Sequence, residues 1–393
     1  MLYDFDTTPN RRGTGSMKWD VAEHELPMWV ADMDFATAPQ VIRAIKNRAS
    51  HGVFGYSIVP DEWYDAIISW WKRRHNYTID KSWLQFCTGA VPAISCLVQR
   101  ITNVGDNVAV LTPVYDIFFH SIENFGRHVA ECGLAYSNGN YQIDFDALER
   151  VLSNPLTTML ILCNPHNPTG TVWTHEQLSK IGKLCKKYGV VVLSDEIHCD
   201  LTLPNVSYTP FASVSEDCAQ NSITCISASK AFNLAGLQSA AVFVPNKRLR
   251  EIAIRGLNSM EVAEPNSFAV GATVAAFNQS EEWLDSLRGY LADNRNAAAE
   301  YLKKNAPSAH LIDGKATYLL WIDCSAITND SNELCDFIAE RYGLILSSGA
   351  QYRGNGKTFV RMNIACDRAR MTDGLHRLSD GLKAYTDKGT TIE

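Results

Sequence analysis

Ser222-Ile223-Thr224-Cys225-Ile226-Ser227-Ala228-Ser229-Lys230-Ala231-Phe232-Asn233 is the stretch from which the rest of the chain is read. Its first five residues are mostly apolar or β-branched and predict a short buried strand. Small residues then let the backbone turn, and Lys230 is left at the mouth of that strand. Desolvation there favours the neutral, nucleophilic amine, which can hold an aldehyde as a Schiff base. A surface lysine in a loop is the plainer alternative, and one Ser-x-x-Lys does not separate the two.

Upstream, Val190 to Leu193 predicts another strand, ending at Ser194-Asp195-Glu196-Ile197-His198. Asp195 thus lies at a strand's carboxyl end, where open α/β sheets place their ligands; capping a helix is the alternative. An apolar strand over 158–163 breaks into Asn164-Pro165-His166-Asn167-Pro168-Thr169-Gly170, a rigid turn that projects asparagine side chains. Thr174-His175-Glu176-Gln177 has the form of a capping box opening a helix that Gly189 closes. A strand over 107–112 leads to Pro113-Val114-Tyr115, so Tyr115 either lies on a planar ligand or packs in a core.

Further upstream, Phe86-Cys87-Thr88-Gly89-Ala90-Val91-Pro92 ends a strand and opens a helix. Backbone N–H groups at that helix start suit a phosphate. Tyr56 lies in the glycine-punctuated loop His51-Gly52-Val53-Phe54-Gly55-Tyr56, where packing is the alternative to binding. Leu26-Pro27-Met28-Trp29-Val30-Ala31-Asp32-Met33-Asp34-Phe35 is apolar but interrupted by acids, and either crosses a cleft edge or ends a buried strand. The opening to about Asp20 reads as polar and irregular.

Strand, helix and strand alternate through the centre, which predicts a mostly parallel sheet covered by helices. Beyond about Asn278 the pattern turns helical, with Trp283, Leu287 and Leu291 at core spacing. Strands over 317–323 and 359–364 then suggest a smaller α+β domain, joined by the chain's start. Arg361 alternates with apolar neighbours, as an exposed arginine or as a carboxylate clamp.

At 393 residues the chain is long enough for two or three domains. A net charge of −7 shows no basic excess for nucleic acid or an anionic membrane. No apolar run reaches the roughly 18 residues of a membrane span, and the first residues lack the pattern of a signal peptide. The eleven cysteines are scattered and never spaced Cys-x-x-Cys. They predict reduced thiols in a cytoplasm, without a disulfide framework or a metal site.

Taken in order, Tyr56, Thr88-Gly89-Ala90, Tyr115, the 164–170 turn, Asp195-Glu196-Ile197-His198, Ser227-x-x-Lys230 and Arg361 resemble the fold-type I, aspartate-aminotransferase-like pyridoxal 5'-phosphate enzymes. Trp29 to Phe35, the Asp195-to-His198 run and Lys230-Ala231-Phe232-Asn233-Leu234-Ala235-Gly236-Leu237-Gln238 are similar to the cystathionine β-lyase branch of carbon–sulfur lyases. The resemblance covers about residues 26–370. It implies a large domain over 45–280 with a mostly parallel seven-stranded sheet, and a smaller one from 1–44 and 281–393.

It also implies roles. Lys230 is the Schiff-base lysine, Asp195 the partner of the pyridinium nitrogen, and Asn167 that of the phenolic oxygen, with His198 near the same edge. Tyr115 stacks on the ring. The backbone of Gly89 and Ala90 and the Ser227 hydroxyl cradle the phosphate, Val91 and Ser229 also bind the cofactor, and Tyr56 reaches the phosphate from a neighbouring subunit, so a homodimer is implied. Arg361 holds the α-carboxylate of a small amino-acid substrate. Many aminotransferases of this fold carry a phosphate-binding arginine eight positions after the lysine, where this chain has Gln238. That departure agrees with the lyase branch. The implied reaction is α,β-elimination of cystathionine or another cysteine thioether; transamination and a non-catalytic binding role are the other readings.

Overall fold

The computed structural model describes residues 3–390. Its central sheet has seven strands: β1 Leu84–Cys87, β2 Asn107–Thr112, β3 His128–Gly133, β4 Thr157–Cys163, β5 Val191–Asp195, β6 Ser222–Ile226 and β7 Ala240–Phe243. They lie in the order β1-β7-β6-β5-β4-β2-β3. β7 runs antiparallel to both neighbours, and the remaining pairs are parallel. This is the α/β class, with the mostly parallel sheet, that the strand–helix alternation predicts.

Both faces of the inner strands are covered, which explains why β2, β4 and β5 are mostly apolar. Val108, Val110, Met159, Ile161 and Leu193 point to one face, with Ile94 and Leu97 of helix Ala90–Ile101. Ala109, Leu111, Leu160, Leu162 and Val192 point to the other, against Leu178 and Ile181 of helix His175–Tyr188. That second helix starts with the expected capping box at Thr174 and Gln177 and stops at Gly189, φ 70°.

A four-stranded sheet follows, ordered His310–Leu311, Leu319–Asp323, Phe359–Asn363 and Ser347–Ser348. The 317–323 expectation is shortened at its start: Thr317 has a left-handed φ of 70°, and the strand begins at Leu319. A third apolar cluster ties the two sheets together through Trp63, Trp70, Phe232, Phe277 and Trp283. In the opening, Lys18 and Trp19 are buried rather than loose.

The 26–35 segment is a strand only at Leu26–Pro27, which pairs with Leu344–Ile345. Beyond that it is irregular, and side chains take up its backbone groups, as buried peptides require. Asn363 Nδ2 donates to the Val30 and Asp32 carbonyls, each at 2.6 Å. Asn233 accepts from the Met33 N–H at 3.0 Å and donates to the Met33 and Phe35 carbonyls. All eleven cysteines are free and buried, and among the described residues no helix is long and apolar enough to cross a membrane.

Candidate active site

The carboxyl ends of β1, β2, β4, β5 and β6 converge on a cavity of about 260 Å³. A parallel sheet directs all these ends to one edge, so residues far apart in sequence meet there. Gly89, Ala90 and Val91 follow β1, Tyr115 follows β2, and Asn167 follows β4. Asp195 and His198 come from the end of β5; Ser227, Ser229 and Lys230 follow β6. All ten line the cavity.

Gly89 caps helix Ala90–Ile101 without a side-chain bond, which leaves the first N–H groups of that helix open at its positive end. Across the cavity, Ser227 Oγ donates to the Ser239 carbonyl at 2.7 Å and accepts from the Ser229 N–H at 2.9 Å. The open N–H groups of that helix are the donors that an oxyanion such as a phosphate requires, while the Ser227 hydroxyl is held by the Ser239 carbonyl. Tyr115 sets its ring edge-on to Phe118, 5.7 Å between centroids, which anchors it beside the cavity.

The opposite end is charged. Among the described residues, the Asp195 carboxylate accepts one hydrogen bond, from the Ile197 N–H at 3.3 Å. Burial pushes its carboxyl up to about 7, more than that bond and the Lys230 charge pull it down. The Lys230 amine donates to the Ala31 carbonyl at 2.8 Å. Burial and then the Arg361 charge push it down to about 8, against the pull of Asp32 and Asp195. His198 is neutral, its pKa lowered to about 3 by burial and the charges of Lys230 and Arg361. Its Nδ1 is buried without a partner, an orphan that a ligand atom at this edge would satisfy.

Arg361 is buried next to the cavity. Its Nη1 donates to Asn167 Oδ1 at 3.2 Å and its Nη2 to the Trp29 carbonyl at 3.0 Å, while Nε has no partner. Since Asn167 Oδ1 is taken, its amide nitrogen is the atom left for the cavity. Tyr56 behaves differently: it is fully exposed and does not line the cavity of its own chain.

Ala31, Cys163, Ile197 and Ala235, which nothing in the sequence marks individually, also line the cavity, as Gln238 does. Ala31 contributes a carbonyl, which leaves no side-chain signature. His166 was visible only as part of its turn. Its Nε2 bonds the Pro113 carbonyl at 2.8 Å and so ties the Tyr115 turn to the Asn167 turn.

A cavity with an amine, a buried carboxyl, an orphaned imidazole and an anion-binding helix start fits pyridoxal phosphate. Known proteins agree. The chain is 40% identical over 385 residues to cystathionine β-lyase PatB of Bacillus subtilis, covering 96% of this chain and 100% of the relative. It is 32% identical to protein MalY of Escherichia coli, over 98% of this chain and 100% of that one. The structure of the PLP-bound C–S lyase from Staphylococcus hominis, with the inhibitor L-cycloserine, superposes with a TM-score of 0.92 at 34% identity, over 97% and 99% of the two chains. The model of the aminotransferase class I and II family matches residues 25–378, and the chain belongs to that family.

Proposed function

We propose that this protein is a pyridoxal-phosphate-dependent carbon–sulfur β-lyase, which eliminates the thiol from cystathionine or a related cysteine thioether and leaves pyruvate and ammonia. The cavity supports the cofactor, and full-length similarity to a cystathionine β-lyase is the observation that carries the choice of reaction. Transamination is the second reading. It uses the same residues, and the family's name favours it.

When bound, pyridoxal phosphate supplies an electron sink for the pair left by a departing α-proton. The chain does the rest. Lys230 holds the cofactor and, once released by the incoming amino acid, takes the α-proton on Nζ. An amine with a pKa lowered to about 8 is suited to both tasks. Asp195 would pair with the ring nitrogen and keep it protonated, with a carboxyl that gains from such a partner. Asn167 would hold the phenolic oxygen with His198 near it, and Tyr115 would hold the ring. The 89–91 backbone, Ser227 and Ser229 would hold the phosphate. Arg361 clamps the α-carboxylate through two parallel hydrogen bonds. The Cβ–S bond then breaks with its electron pair going to sulfur, the thiolate is protonated, and water hydrolyses the remaining fragment to pyruvate and ammonia.

The active form is read as a homodimer in the cytoplasm, with Tyr56 of each chain reaching the phosphate of the other. Exposed Val53, Phe54 and Ile58 around Tyr56 support an interface there, since apolar side chains in such a cluster favour a partner. Eleven free thiols support a reducing compartment. We read 45–280 as the cofactor-carrying domain and 1–44 with 281–393 as the smaller one.

Elimination regenerates the starting enzyme, whereas transamination leaves the cofactor aminated until a keto acid arrives. Cystathionine without any keto acid should therefore yield many pyruvates per site. A stop after one equivalent, with recovery on adding a keto acid, would make the protein an aminotransferase. Mixed dimers of Tyr56→Phe and Lys230→Ala chains should regain activity if the sites are shared; a fully active monomer in ultracentrifugation would end that reading.

A further inference from the structure

Residues 314–317 are wedged between two of the turns that build the cavity. The Lys315 and Ala316 N–H groups both donate to the Gly170 carbonyl, at 2.7 and 3.0 Å, at the end of the Asn167 turn. The Thr317 N–H donates to the Leu201 carbonyl at 2.8 Å, just past His198. The approach is so close that a Cβ on Gly170 would lie 2.8 Å from the Ala316 carbonyl. Thr317 is then held at φ 70°, a conformation that β-branched residues avoid and that persists only where the surroundings impose it. Such outliers collect at functional sites, and this one delivers the next residue, Tyr318, to the edge of the cavity.

Tyr318 is buried, and its hydroxyl donates to the Ala31 carbonyl at 2.9 Å. The same carbonyl accepts from Lys230 Nζ at 2.8 Å. A carbonyl oxygen has two lone pairs, and these two donors occupy them. We propose that Tyr318 is a positioning residue: its hydroxyl fixes the Ala31 carbonyl, and that carbonyl docks the Lys230 amine whenever the amine is free of the cofactor. This rests on the reading of Lys230 as the lysine that carries the cofactor and moves the α-proton.

A released lysine has a flexible four-carbon stem, and its amine must stay within reach of one carbon. Docking on a fixed acceptor restricts it. Arg361, Asp32 and Asp195 act on the amine's charge, with neutral His198 and Tyr115 beside it. An acceptor bonded to the ammonium favours the protonated form, so loosening that acceptor lowers the proton affinity.

The test is Tyr318→Phe, which removes one oxygen and keeps the ring. In the cofactor-free full-length protein, Lys230 is labelled by a small amine-reactive reagent across a pH series and read by peptide mass mapping. The variant should label about threefold faster below pH 8, with its profile displaced to lower pH. In the holoenzyme, kcat should fall about fivefold while KM stays within about twofold. Tyr318→Leu should label as Tyr318→Phe does. An unchanged labelling profile in Tyr318→Phe, or a change in Tyr318→Leu alone, overturns the proposal. Labelling needs no turnover, so it is independent of whether the reaction is elimination.

Discussion

Asp34 and Asp195 are equally withdrawn from solvent, 1% and 3% exposed, but the chain treats them differently. Asp34 accepts from Trp19 Nε1 at 2.9 Å and is paired with Arg11 at 2.9 Å, Lys18 at 3.1 Å and Arg370 at 3.1 Å. Burial alone would raise its carboxyl; Lys18, Trp19 and Arg370 outweigh that and hold it below the ordinary value. Asp195 has one backbone N–H, so burial prevails and its carboxyl rises to about 7. The first carboxylate is completed by its own chain. The second is left short of partners at a cavity, as a group that waits for a ligand is.

The contrast can be broken from either side. The largest effect belongs to the cavity: Lys230→Ala should lower turnover by about 10⁴-fold, and borohydride reduction should leave no pyridoxyl on the 230 peptide. On the paired side, Asp34→Asn removes the nearer, buried counter-charge of Lys18 and leaves it the more exposed Asp32 at 3.7 Å. Unfolding of the variant in denaturant should show a loss of about 3–5 kcal/mol, with turnover per folded molecule retained.

Arg361→Lys comes next. A lysine cannot reproduce the two parallel bonds to a carboxylate, so kcat/KM should fall about 100-fold while the cofactor spectrum is kept. The smallest effect has the opposite sign. Because the folded Asp195 carboxyl lies above its ordinary value, the cofactor-free protein binds the extra proton between about pH 4 and 7 and loses stability as pH rises through that window. Asp195→Asn should remove that loss and stabilise the cofactor-free protein by on the order of 2 kcal/mol at pH 8, with no gain at pH 4. Thermal melts at the two values would show it, and equal melts at pH 8 would mean that Asp195 has partners of its own.

Much of this was legible in the sequence, for local reasons. Strands β2 and β6 begin and end where their apolar runs do, and the helix Asp61–His75 buries the stripe of Trp63, Ile67, Trp70 and Trp71 at helical spacing. The residues at the strand mouths were legible because a parallel sheet sends every carboxyl end to one edge. What stayed hidden depends on distant partners. Lys18 looks like a surface lysine until Asp34 is placed against it. The 240–243 run does not disclose that it enters the sheet antiparallel. Nothing in Ala31 or Tyr318 marks them, because the interaction they share is made through a backbone carbonyl.

The bond from Asn363 to the Val30 carbonyl spans 333 residues, and its companion to Asp32 spans 331. On the ribosome the 29–33 segment emerges long before the strand that fastens it, and the central sheet can form in between, as domains generally fold during synthesis. The segment whose Ala31 carbonyl accepts from Lys230 is therefore among the last parts to be fixed. A chain released just before residue 363 would own every cavity-lining side chain named here, and Arg361 with its anchors, yet lack the clasp that holds its leading segment over them. For this molecule the leading segment is fastened only once the Phe359–Asn363 strand has been made.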